Sequence, residues 1–82
     1  MAQEKQRFWL TFDANGVTRP LIWEMSQKYK VIFNIRSSSV TKEVGIIALE
    51  LEGEREEIKS AVKWLEGAGV QVEPVEINTI EG

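Results

Sequence analysis

Two alternating runs around a short polar stretch constrain this chain most: "VIFNIRSS" (31–38), "SVTKEVG" (39–45) and "IIALELE" (46–52). In the first, Val31, Phe33 and Ile35 point one way while Ile32, Asn34 and Arg36 point the other. In the second, Ile47, Leu49 and Leu51 share one side, with Ile46, Ala48 and Glu50 opposite. Two half-buried strands joined this closely pair as an antiparallel hairpin. A lone hairpin is marginally stable in water, so the rest of the chain must supply more strands and a cover for the apolar side.

It does both. Upstream, "RFWLTFD" sets Phe8, Leu10 and Phe12 against Arg7, Trp9 and Thr11, which is another strand. "DANG" reads as a turn, because Asn15-Gly16 tolerates positive φ. Thr18 is then placed to cap a helix, with Pro20 in its first turn and "LIWEMSQKYK" as its body. Leu21, Ile22, Met25 and Tyr29 fall on one face of that helix.

Downstream, Ile58, Ala61, Val62 and Leu65 recur at i, i+3, i+4 and i+7 within "GEREEIKSAVKWLEGAGV". Glu54, Glu56 and Glu57 favour the start of that helix, and Gly67 or Gly69 its end. A last strand, "VQVEPVEI", turns Val70 and Val72 inward. The order is strand, helix, strand, strand, helix, strand. Both helices covering one face of an antiparallel sheet gives an α+β, ferredoxin-like βαββαβ sandwich. Right-handed crossovers put strands one and three in the centre and strands two and four at the edges. Residues 6–77 form this one domain, with 1–5 expected as a flexible N-terminus and 78–82 as a flexible tail.

Composition narrows the chemistry. The chain has 82 residues, so its core is small. It contains no Cys, which removes disulfides, thiol catalysis and thiolate-held metal, and no His, which removes the usual general base. No nucleophile, base and stabiliser can be assembled, so the chain is expected to be no enzyme and to need no cofactor. A net charge of −3 argues against nucleic-acid binding. No apolar run nears the roughly 18 residues of a membrane span, and "MAQEKQR" lacks a signal-peptide core. A cytoplasmic protein without membrane insertion is expected. "DANG" lacks the alternating carboxylates of a calcium loop, and "GAG" follows a helix instead of opening one, so neither marks an ion or phosphate site.

The face away from the helices would show Trp9, Thr11, Ile32, Asn34, Arg36, Ile46, Ala48 and Glu50. Trp9, Ile32, Ile46 and Ala48 together form an apolar patch that calls for a partner or a ligand. Strand two also offers an unguarded edge. Self-association through the exposed sheet face or the strand-two edge is the simplest cover, with Trp9, Ile32 and Ile46 at the interface.

Around "VIFNIRSSSVTKEVGIIALELEG" the pattern resembles the NIL domain, named for an Asn-Ile-Leu on its second strand. Asn34 and Ile35 match it, and Arg36 stands in place of the leucine. The likeness runs from about Phe8 to Val75, including Gly45, "LELEG" and "AVKWLEGAGVQVEPV". The resemblance implies an ACT-like regulatory domain, as at the C-terminus of the ATPase of methionine ABC transporters. A pair of such domains there binds methionine, and the motif asparagine helps to hold it. Other relatives precede an iron–sulfur ferredoxin module, and "VEPVEINTIEG" resembles that branch. It therefore implies a homodimer holding an amino acid or related sulfur metabolite at Asn34, Ile35, Arg36 and Ser38. The alternative is a docking domain, without a ligand of its own, for a ferredoxin-like, transporter-related or sulfur-metabolism partner. Asn34 brings an amide donor and acceptor, Arg36 a bidentate carboxylate donor and Ser37 or Ser38 a hydroxyl.

Overall fold

A computed structural model describes residues 3–75, apart from the Val17 side chain. Four strands form one antiparallel sheet: β1 (Glu4–Phe12), β2 (Ile32–Val40), β3 (Gly45–Gly53) and β4 (Gln71–Pro74), in the spatial order β2-β3-β1-β4. The helices are α1 (Ala14–Thr18), α2 (Leu21–Lys28) and α3 (Arg55–Gly67). This is the expected ferredoxin-like arrangement, with β1 and β3 central. The molecule is only 17 Å across its thinnest axis, room for the sheet and a single layer of helices.

The core lies between the sheet and that layer. Phe8, Leu10 and Phe12 from β1 and Leu49 and Leu51 from β3 meet Leu21 and Met25 of α2 and Ile58, Ala61 and Leu65 of α3. Every one of these positions follows from strand alternation or helical spacing. Val62, Ile22 and Tyr29 sit half-buried beside them, and Val70 closes the core just before β4. Among the described residues no helix is long and apolar enough to cross a membrane.

Several local expectations change. "DANG" opens α1: Asp13 is its N-cap and accepts a 2.9 Å hydrogen bond from the Gly16 N–H. Thr18 consequently ends α1 instead of capping α2, and its hydroxyl donates back to the Asn15 carbonyl. α2 starts after Pro20 with no side-chain cap, and Tyr29 follows its end. β1 begins at Glu4, so Glu4 and Lys5 are ladder residues opposite Gly53 and Glu52. β4 stops at Pro74; residues 76–82, including the expected tail, lie outside the described residues.

Two glycines are required by geometry. Gly69 has φ +99°, the left-handed conformation that ends α3. Gly53 is buried, and a Cβ there would come within 3.0 Å of the Lys30 carbonyl.

The largest departure concerns β2. It is exposed along its whole length. Phe33, Ile35 and Val40, on its helix side, are 38%, 47% and 56% exposed. The helices cover β1, β3 and β4 and leave the helix side of β2 only partly shielded. We therefore expect Leu49→Ala to cost about 2–5 kcal/mol of unfolding free energy. Ile35→Lys should cost less than about 1 kcal/mol, as a surface change. Urea denaturation of both variants checks this.

The start of β1 is tied to α3. One Glu4 carboxylate oxygen accepts from Arg55 Nε at 3.0 Å and Nη2 at 2.8 Å, and Gln6 donates to the other oxygen. The Arg55 hydrogen bond, then that from Gln6, lowers the Glu4 pKa from its ordinary 4.5. A depressed carboxyl stabilises the fold above its unfolded pKa and loses that stabilisation as pH falls through the folded one. The melting temperature of wild type should thus exceed that of Glu4→Gln at neutral pH, by a margin that narrows on acidification below about 4.5.

Candidate ligand site

Cross-strand register orders the helix-free face into rows. Ile32, Glu52 and Lys5 form the first, and Asn34, Glu50 and Arg7 the second. Ser37, Ala48, Trp9 and Glu73 form the third; Ser39, Ile46, Thr11 and Gln71 the fourth. Trp9, Ala48 and Ile46 are therefore neighbours. Ile32 is not one of them: the charged Glu50–Arg7 row separates it from Ala48. The single apolar patch expected from alternation is two features, an aromatic–aliphatic end and a polar end.

The polar end is concave. Lys5, Arg7, Ile32, Phe33, Asn34, Arg36, Glu50 and Glu52 line a depression of about 390 Å³. Each element supplies side chains at a two-residue period: Lys5 and Arg7 from β1, Glu50 and Glu52 from β3, Ile32 and Asn34 from β2. Arg36 reaches Glu50 at 3.4 Å, with Glu50 only 12% exposed. An exposed pair at that distance contributes at most about 1 kcal/mol. Asn34 makes no side-chain hydrogen bond among the described residues, so its amide is open to a ligand.

Of the expected site residues, the strand brings Asn34 and Arg36 together and sends the other two elsewhere. Ile35 opposes buried Leu49 and so belongs to the helix side. Simple alternation along β2 would give Ser38 the facing of Asn34. A β-bulge between Ile35 and Ser37 inserts one extra residue, Arg36, and reverses the parity beyond it. Ser38 therefore pairs with Ile47 on the helix side, and Ser37 and Ser39 take the free face. Lys5, Arg7 and Glu52 were not singled out from the sequence, although extending the β1 alternation upstream by two residues points to both cations.

A second cavity, about 160 Å³, lies on the other side of the sheet where α2 begins. Phe12, Pro20, Leu21, Ile22, Trp23, Val40 and Ile47 make it apolar. Its one cation, Arg19, is held by Glu24 at 2.6 Å. None of the four expected ligand residues lines it. The described residues hold no cluster of metal-binding side chains.

The NIL domain model matches residues 6–74, nearly the whole described chain. The chain belongs to the NIL domain family. Its fold is shared with the C-terminal domain of an ABC transporter ATP-binding protein from Enterococcus faecalis, at a TM-score of 0.75 and 23% identity. That superposition covers 85% of this chain and 82% of the other. No curated protein matches the chain. The C-terminal domain of a transporter ATP-binding protein is thus a structural counterpart of this NIL domain. In it, Asn34→Ala should change unfolding free energy by less than about 0.5 kcal/mol, because the amide is exposed and unbonded. A larger loss in urea denaturation would assign Asn34 a structural role.

Proposed function

We propose that this NIL domain is a non-catalytic regulatory module that pairs with a second copy of itself through β2. It binds a small molecule, an amino acid or related sulfur metabolite, beside Asn34, and occupancy alters the geometry of the pair. One observation carries the reading: a nine-residue strand, exposed from end to end, offers an unpaired edge and an apolar strip of Phe33, Ile35 and Val40. Neither Lys nor Pro guards that edge. The depression holding Asn34 lies against the same strand, so what pairs with β2 also touches the ligand site.

A second reading rests on a different surface. Trp9, Ala48 and Ile46 form an apolar end of the open face, beginning one row beyond the Asn34 depression and lining none of it. This suits docking onto another protein, such as a ferredoxin or a transporter component. The two readings separate by mutation: Trp9→Ala abolishes docking in a pull-down, whereas Ile35→Lys abolishes self-association.

Sedimentation velocity on the wild-type chain should give about twice the 9.4 kDa of one copy, and Ile35→Lys should give a folded monomer. A ligand at about a hundredfold over its Kd should stabilise the domain by ~2.7 kcal/mol, visible as a rise in melting temperature. A monomer at every concentration, with no shift across amino acids and thiol metabolites, sinks the proposal.

A further inference from the structure

The charges around Asn34 select among amino acids. Glu50 and Glu52, two residues apart on β3, form the floor of the depression, with Lys5 and Arg7 on the β1 side and Arg36 on the β2 side. Three cations against two carboxylates leave one positive charge in excess, within a chain whose net charge is −3. Lys5 and Arg7 stand directly across from Glu52 and Glu50. Neither closes to ion-pair distance with a carboxylate among the described residues; only Arg36 does, at 3.4 Å. The cationic groups are therefore available, and the acidic floor lies between them. The 390 Å³ volume falls within the roughly 300–1,000 Å³ of small-molecule sites.

We infer that the site takes an α-amino acid bearing a second acid group. Its ammonium would rest on Glu50 and Glu52, one carboxylate would meet Arg36 and the Asn34 amide, and the other would meet Arg7 and Lys5. Such a ligand carries two negative charges and one positive, and so neutralises the excess. A neutral amino acid with an apolar side chain leaves one cation unmet and finds apolar wall only at Ile32 and Phe33, the rest of the lining being polar or charged. This inference rests on the proposed ligand-binding role and specifies its chemistry.

Calorimetric titration of the whole chain with L-glutamate, L-methionine and glutarate, which lacks the ammonium, tests it. L-glutamate should bind, and glutarate should bind about tenfold more weakly, the loss expected for one charge-assisted hydrogen bond. In Glu50→Gln that difference between L-glutamate and glutarate should largely vanish; should this variant fail to fold, Glu52→Gln serves the same purpose. Binding of L-methionine but not L-glutamate overturns the inference and leaves the proposed function standing. An undiminished gap in both variants overturns the ammonium seat. No binding by any of the three compounds overturns the dicarboxylic class; combined with no melting shift across the wider panel, it removes the ligand-binding role as well.

Discussion

Everything in this molecule depends on the apolar side of the β1–β3 ladder. Phe8 lies directly opposite Leu49, with Leu10 and Leu51 continuing the same surface, and all four are buried. Burial of apolar surface is the main favourable term in folding, and a chain of 82 residues has little of it to distribute. α2 and α3 place their apolar faces over this central ladder and join its side chains in one buried cluster. With α2 only eight residues long, little remains to cover β2. The bareness of β2 thus follows from how a small core is best filled.

A strand exposed along its whole length and along one edge needs a reason to stay unaggregated. β2 has two mild safeguards, the bulge at Arg36 and the charge of Arg36 itself. Bulges strengthen local twist and spoil continuous pairing with an arbitrary neighbour. The residues that would finish the job, an inward lysine or a proline, are missing from "IFNIRSSSV". An edge that is blunted but still open suits selective pairing better than permanent isolation. That is the physical ground for proposing β2 as the pairing surface.

Much of this was legible in the sequence, and the failures have identifiable causes. Period-two alternation fixed the facing of Phe8, Leu10, Leu49 and Leu51, and helical spacing fixed Ile58, Ala61 and Leu65. It also put Asn34 on the open face. The bulge was invisible because Ser37, Ser38 and Ser39 are identical, so an added residue leaves no trace in the pattern. For the same reason alternation alone puts Ser38, and not Ser37, on the side of Asn34. The early start of β1 was hidden because Glu4 and Gln6 occupy the helix side at the sheet's end, where the core no longer demands apolar residues. α1 escaped notice because an Asp cap followed by Asn-Gly is chemically the same for a turn and for a five-residue helix.

The bulge also sorts the chemistry of β2. Without it, alternation would put Ser38 and Val40 beside Asn34 and divide the polar residues between faces. With it, Asn34, Arg36, Ser37 and Ser39 share the open face, while Phe33, Ile35 and Val40 share the helix side with Ser38. A polar row suited to a small charged ligand thus runs back to back with an apolar strip suited to burial against protein. Any partner that extends the sheet across the β2 edge meets both surfaces at once. A ligand on one face and an apolar contact on the other then act on the same nine residues of backbone. Coupling between the two needs no longer path than the thickness of one strand.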